Sequence, residues 1–329
     1  MSGRDTAYGN TRLRARREKL LSRAATEALI GRDLDSVLGA LGATAYRPAL
    51  ETALARGGGL PALHAAIRER QAAELRLVRS LYDGADGTAV GVLLSRVDRA
   101  NLLVLLRGHA RGVVGDALLA LTVPAGAFDE GALREAAAQP EIESLVRLLA
   151  AWKLPDAQTA RALRVGVSAY EMHQDLAALE AAAIAAHATA QLEIVQRSGR
   201  AAMPVAQELA QLADDSNLLA VVRSRAARER GEALPGVVWV PGGDATPAAI
   251  AERAAGVGER PAELQERLEV ARLRHAMALF GLGDPLSLAI PLAYVASLEA
   301  EARNLRLIGA AAERGIAEPE LRVQLVLAA

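Results

Sequence analysis

The sequence predicts an all-α protein, and three observations predict it. Alanine, the strongest helix former, supplies 73 of 329 residues. The chain is 52% hydrophobic but only 3% aromatic, so the side chains that favour strands are scarce. No alternation of period two persists long enough to mark a sheet, whereas apolar residues recur at helical spacing between short polar breaks.

The first helix is expected over about Thr11 to Ile30. Arg12, Arg16, Lys19 and Arg23 then fall at i, i+4, i+7 and i+11, one solvated stripe suited to an acidic partner or lipid headgroups. Leu13, Leu20, Ala24 and Ala28 take another face. Leu34 to Leu41 is apolar at helical spacing and ends near Gly42. His64 to Leu81 reads as a long amphipathic helix stopped by Asp83-Gly84, and Ala89 to Arg111 as another ending at Gly112. Leu145 to Trp152 ends before Pro155. Asp156 to Gln196, dense in alanine, is expected as one long helical stretch. Glu263 to Phe280 ends at Gly281, with Pro285 beyond it. The most apolar window, Leu279 to Leu298, holds Asp284, Pro285 and Pro291 and reads as a buried core helix rather than a membrane span. Val237 to Val240 is a β-like patch too short for a sheet. Gly57-Gly58-Gly59, Gly84 to Gly91 and Gly281 to Gly283 read as interhelical loops. Met1 to Lys19 is charged and lacks the apolar core of a signal peptide.

Composition excludes several kinds of chemistry. The 38 basic residues balance 39 acidic ones, for a net charge of −1, which argues against a dedicated nucleic-acid or acidic-membrane binder. The absence of cysteine removes disulfides, thiolate metal sites and a Cys nucleophile. Neither lysine, Lys19 or Lys153, follows a glycine, so there is no Walker-type phosphate loop. The five histidines (His64, His109, His173, His187 and His275) show no i,i+4 pair or HExxH arrangement, and Glu171, His173 and Asp175 point to different sides of a helix. No G-x-S-x-G elbow is present. No cofactor and no catalytic or metal residue is expected.

An internal repeat is the strongest positive signal. The run Asp98-Arg99-Ala100-Asn101-Leu102-Leu103-Val104-Leu105-Leu106-Arg107 matches Asp214-Asp215-Ser216-Asn217-Leu218-Leu219-Ala220-Val221-Val222-Arg223. Asp, Asn, both leucines and Arg coincide. One residue of slip later, Val123-Pro124-Ala125-Gly126 matches Val240-Pro241-Gly242-Gly243. A weaker third copy has Glu301 for Asp98, Asn304 for Asn101, Ile308 for Leu105 and Gly315 for Gly112, but Ala310 where the others have Arg107 and Arg223. The acid and the Asn lie three apart on one helix face. Asn is a poor mid-helix residue unless its amide finds partners, so each Asn is expected to bond an adjacent helix or loop, and each acid to pair with an arginine. The chain reads as three helical repeat domains, 1–124, 125–240 and 241–329.

The opening Tyr8-Gly9-Asn10-Thr11-Arg12-Leu13-Arg14-Ala15-Arg16-Arg17 resembles the start of the C subunit of prokaryotic V-type (A/V-type) ATP synthases, counterpart of the vacuolar ATPase d subunit. So do Leu93-Leu94-Ser95-Arg96-Val97-Asp98-Arg99-Ala100-Asn101-Leu102, and Asp284-Pro285-Leu286 followed by Leu292-Ala293-Tyr294-Val295. The resemblance implies a funnel of three similar helical domains with pseudo-threefold symmetry and no catalytic residues. It implies a non-catalytic rotor coupling subunit, one copy per complex and a monomer on its own. Such a subunit sits peripherally on the cytoplasmic face of the membrane, between the central stalk subunits and the membrane rotor (proteolipid) ring. The competing reading is a helical-repeat enzyme with an acidic site around Glu171, Asp175, Asp214 and Asp215. A nucleic-acid adaptor resting on Arg223, Arg225, Arg228 and Arg230 meets neutral net charge and few aromatics, so no nucleic-acid partner is expected.

Overall fold

The structure, a computed structural model, describes residues 6–231 and 238–327, and every regular element in them is helical. The chain divides into two compact units, Met1–Val90 with Val270–Ala329, and Gly91–Glu269.

The first unit begins with α1 (Thr6–Arg16), a 3-10 turn at Arg17–Lys19, α2 (Arg23–Glu27), α3 (Leu34–Leu41), α4 (Arg47–Leu54) and α5 (Gly59–Ser80). The single long helix expected over Thr11 to Ile30 is therefore broken. Leu20 is extended (φ −79°, ψ 154°) and Ser22 starts a new helix by accepting the Ala25 N–H at 3.1 Å. The break has a tertiary cause. Arg70 takes the Lys19 carbonyl at 2.7 Å, and the Glu301 carboxylate takes the Leu21 N–H. Helix α3 runs over the expected residues because Asp33 caps it on Ser36 N–H at 2.9 Å.

The second unit is carried by α6 (Gly84–His109), α7 (Asp116–Leu119), α8 (Glu130–Ala137), α9 (Ile142–Trp152), α10 (Ala157–His173), α11 (Leu176–Val195), α12 (Met203–Glu229), α13 (Pro247–Ala255) and α14 (Pro261–Leu282); α6 and α14 run into the first unit at one end. Gly84 to Gly91, expected as a loop, is the first two turns of α6. The stretch from Asp156 to Gln196 is two helices. Gln174 turns left-handed (φ 54°) and Asp175 caps the next helix on Ala178 N–H at 3.0 Å. Asp156 caps α10 on Thr159 N–H at 2.8 Å.

The first unit closes with α15 (Ala289–Arg314) and α16 (Glu318–Gln324). The apolar window at Leu279 to Leu298 is thus the end of α14, a turn in which Leu286 N–H bonds Asp284, and the start of α15. Val237 lies outside the described residues, and residues 238–240 form no strand. No described helix is long and apolar enough to cross a membrane.

Each repeat-bearing helix seeds a core with the leucines that follow its Asn. Leu102, Leu105 and Leu106 of α6 pack with Phe128, Leu133, Leu145, Leu149 and Leu163. Leu218 and Val222 of α12 pack with Ile250, Ala254 and Leu264. Leu305 and Ile308 of α15 pack with Val37, Leu41, Leu63, Ile67, Leu321 and Leu325. In the last case, side chains from both ends of the chain fill one core.

Candidate functional site

The repeat positions Asp98, Asn101, Asp214, Asn217, Glu301 and Asn304 are all buried, with Asn217 fully enclosed. Each Asn makes the same two-way amide clamp on a backbone. Asn101 donates to the Val123 carbonyl at 2.7 Å and accepts Val123 N–H at 2.8 Å. Asn217 does so with Val240 at 2.9 and 2.8 Å, and Asn304 with Val326 at 2.8 and 2.9 Å. The clamped valine lies 22, 23 and 22 residues beyond its Asn. One side-chain amide thus satisfies both polar groups of a residue in a turning loop, where no ladder is present to do it.

The acid one helical turn earlier holds the next piece of chain. Asp98 accepts Ala127 N–H at 2.9 Å and Phe128 N–H at 3.1 Å. Asp214 accepts Asp244 N–H at 3.2 Å and Ala245 N–H at 3.1 Å. Glu301 accepts Leu21 N–H. Phe128, Ala245 and Leu21 hold equivalent places, since Asp129, Thr246 and Ser22, the next residues, are each a helix N-cap. The third clamp therefore reaches to the N-terminal segment for the partner that the other two find downstream. The glycines of the Val-Pro-x-Gly tail are explained as well. A Cβ on Gly126, which also has φ 83°, would overlap the Asp98 carboxylate, and one on Gly243 would overlap Asp214 Oδ1.

The acids do not all pair with arginine. Asp98 and Asp214 bind backbone N–H groups instead, a correction that follows from their short side chains ending beside the loop. Burial raises Asp98 from the usual carboxylate range to about 6, against the pull of the Ala127 and Phe128 N–H groups. The longer Glu301 does meet an arginine, Arg70 at 3.7 Å, and also accepts the Tyr46 hydroxyl at 2.8 Å. Burial raises Glu301, opposed by Leu21 N–H and Arg70. Arg70 faces Glu74 at 3.5 Å, and Glu74 holds Arg16 at 2.6 and 2.8 Å and Tyr294 at 2.7 Å. Burial pushes Glu74 up, but the bonds from Arg16 and Tyr294 and the two guanidinium charges hold it below its ordinary value.

Two sequence motifs that stand far apart in the chain meet in the first unit. Asn10 donates to the carbonyls of Pro285 at 2.7 Å and Ser287 at 2.9 Å and accepts the Tyr82 hydroxyl at 2.7 Å. The opening Tyr-Gly-Asn run thus docks on the Asp-Pro-Leu turn, with Gly9 leaving room for the Tyr82 ring.

The remaining candidates spread out. Arg12, Lys19 and Arg23 are exposed, Arg23 pairing with Glu27 at 2.9 Å, while Arg16 is committed to Glu74. The helix break at Leu20 removes the single helical face on which the stripe was drawn. Arg107 binds Glu180 through two bonds of 2.7 Å, and Arg223 donates to Gln265 at 2.6 Å. Of the acidic set, Glu171 is exposed, Asp175 caps α11, Asp214 is occupied by its loop, and Asp215 takes Gln211 at 2.7 Å. Among the described residues no group of three His, Asp or Glu could hold a metal. Sequence reading missed Val326, Leu21, Tyr46, Arg70 and Glu74. The repeated spacing from Asn to Val was the available signal for Val326; the others announce themselves only through the fold.

Three equivalent clamps that spend their polar atoms on backbone define a helical-repeat structural protein. The profile of the family described as ATP synthase (C/AC39) subunit matches residues 9–260, and the chain belongs to that family. It is 26% identical to the V-type ATP synthase C subunit of Deinococcus radiodurans over 318 residues, covering 93% of this chain and 86% of the relative. It is 28% identical over 342 residues to the V-type ATP synthase C subunits from two strains of Thermus thermophilus, with 98% of both chains covered. These relatives are structural and not catalytic parts of the synthase, so the reading as an acidic-site enzyme falls.

Proposed function

We propose that this chain is the rotor coupling subunit of a V-type ATP synthase or ATPase. It sits peripherally on the cytoplasmic face of the membrane, one copy per complex, between the central stalk subunits and the proteolipid ring. Its three repeats, proposed as domains 1–124, 125–240 and 241–329, form a funnel about a pseudo-threefold axis. The observation that carries this reading is the family match over residues 9–260 in a chain whose repeat acids and asparagines are consumed by internal clamps. Such a part transmits load without chemistry of its own. One proton crossing about 150 mV releases roughly 3.5 kcal/mol, and several must be stored per ATP. The stored energy then rivals the roughly 5–15 kcal/mol stability of a domain. Cross-braced loops between close-packed Ala-rich helices limit internal slack under that load. The exposed Arg12, Lys19 and Arg23 are proposed to meet an acidic or headgroup surface at the membrane-facing rim.

The test is a tagged pull-down from gently solubilised membranes with the partners identified by mass. Recovery of stalk subunits, catalytic head and ring protein together supports the reading. Recovery of the protein alone from the soluble fraction overturns it.

A further inference from the structure

We propose that His187 is a proton-operated latch between α11 and α6, closed as an imidazolium and opened when its Nε2 proton leaves. The ring is buried, and both of its nitrogens face acceptors. Nδ1 lies 2.7 Å from Asp156 Oδ2, and Nε2 lies 3.1 Å from the carbonyl oxygen of Ser95. A carbonyl oxygen has no proton to give. Neither has Asp156, whose carboxylate accepts Thr159 N–H at 2.8 Å and the Thr159 hydroxyl at 2.7 Å. Burial pushes Asp156 up, but the bonds from His187 and Thr159 hold it below its ordinary value. A neutral imidazole carries one N–H and one lone pair, so it satisfies one of these partners and turns a lone pair toward the other. The doubly protonated ring makes both bonds. In that form His187 ties together α11, which carries it, the N-cap of α10 and the middle of α6.

The surroundings decide which proton is given up. Asp98 follows Ser95 by one turn of α6, and its charge acts on His187. Arg96 and Arg99 border the same space from α6, and Arg96 faces Glu208 of α12 at 3.3 Å. The bordering side chains of α12 are apolar, Leu209, Leu212 and Ala213, and α11 adds the neutral Gln191. Of the two groups bonded to the ring, the carboxylate is the stronger acceptor. It therefore keeps the Nδ1 proton, and Nε2 loses its own. A cavity of about 40 Å³ lies against the ring and offers room for the water that takes this proton. The Nε2 lone pair then faces the Ser95 oxygen, and repulsion loosens the seam between α11 and α6. Val240, the residue clamped by Asn217, also lines the cavity, so the seam borders the second repeat as well as the first. His109 is buried with acceptors at both nitrogens too, the carbonyls of Leu105 at 2.8 Å and Gln139 at 3.0 Å. It lacks the carboxylate that selects the retained proton.

The experiment follows the full-length protein, with ¹⁵N in its histidine rings, by NMR from about pH 5 to about pH 9. The His187 signals are assigned by their loss in His187→Gln. Hydrogen exchange read by mass spectrometry, corrected for the intrinsic effect of pH, reports residues 93–99 and 183–191 over the same range. At the acid end both ring nitrogens of His187 should carry protons. Beyond the transition the proton should stay on Nδ1, the reverse of the Nε2–H form that free histidine favours. Exchange in both segments should quicken by at least about tenfold across that transition, as the seam opens locally. Asp156→Ser keeps an N-cap for α10 but takes the carboxylate away from the ring. Its neutral His187 should hold the proton on Nε2, keep the Ser95 bond and lose the exchange step. A wild-type neutral ring protonated on Nε2 overturns the latch, as does a ring that does not change state over the whole range. Exchange indifferent to the change of state overturns it, and so does an exchange step that survives in Asp156→Ser. If Asp156→Ser does not fold, the tautomer and exchange of the wild type decide by themselves.

Discussion

An asparagine in the middle of a helix must find partners for an amide that the helix does not need, and here each one closes on a single valine. The cost of losing it is set by what remains. Asn217→Ala strands the N–H and carbonyl of the buried Val240. At about 1–3 kcal/mol for each of the two orphaned buried groups, a loss of roughly 2–6 kcal/mol is expected in urea unfolding. A loss under about 0.5 kcal/mol would show that the clamp is ornamental. Gly243→Ala should be comparably damaging, since its Cβ displaces Asp214 from the loop it holds. Asp98 adds a pH signature. Its folded pKa, about 6, lies above the ordinary 3.8, so the folded state takes up a proton that the unfolded state does not. That contribution is fully present below about pH 3.8 and lost as pH rises through 6. Asp98→Asn should remove it, so wild type minus variant stability should fall by up to roughly 3 kcal/mol between pH 4 and 7, at about 1.4 kcal/mol per unit. A flat difference across that range would rule it out. That Asn101, Asn217 and Asn304 seek partners was legible in the sequence, because Asn is unfavourable mid-helix. That the acids would take N–H groups rather than arginines was not, because a backbone donor leaves no residue type behind.

At the scale of elements, helix spans were legible where a cap residue coincided with a change of pattern, as at Asp33 for α3. They failed where tertiary contacts overrode propensity. Nothing in Arg17 to Ser22 forbids a helix; the segment is pulled open by Arg70 and Glu301, which lie far away in sequence. Gln174 and Asp175 break an alanine-rich stretch without glycine or proline, so only the capping tendency of Asp marked the site. The network of half-buried Arg16 with buried Glu74, Arg70 and Glu301 is what fixes the N-terminal segment. Glu74→Ala leaves two guanidinium groups without their shared acid, Arg70 being 5% exposed, and should cost about 3–5 kcal/mol. Glu51→Ala, which removes an exposed i,i+4 partner of Arg47, should leave the melting temperature almost unchanged, because a solvated ion pair contributes little. Parallel thermal melts check both, and equal losses would contradict the network's role. The charges that the break leaves outside carry a separate expectation. Arg12→Glu with Lys19→Glu should weaken docking to ring-containing membranes without lowering the melting temperature, and unchanged docking would sink the proposed rim contact.

For the whole molecule, the consequential feature is that one core is filled from both ends of the chain. Leu63 and Ile67 of α5 pack with Leu305 and Ile308 of α15 and with Leu321 and Leu325 near α16. The repeat in the sequence pointed to three units, but it could not show that the third acid would close on Leu21, because that partner lies at the opposite end of the chain. Burying the four large aliphatic side chains from the C-terminal end contributes about 1.5–3 kcal/mol each, or roughly 6–12 kcal/mol, which rivals the roughly 5–15 kcal/mol of a whole domain. Residues 1–83 without their C-terminal partner are therefore expected to be unfolded. Residues 84–282, which keep α6 to α14 and two of the three clamps intact, should melt cooperatively by themselves. Adding residues 283–329 as a separate chain should restore a cooperative helical transition to residues 1–83, because Asn10 and Leu21 regain Pro285, Ser287 and Glu301 as partners. Circular dichroism of the separate and mixed fragments reads all three. A cooperative melt from residues 1–83 alone would show that the N-terminal helices hold their own core and that the contact with α15 is secondary. No gain on mixing would show that the covalent path through α6 to α14 is needed to bring the ends together.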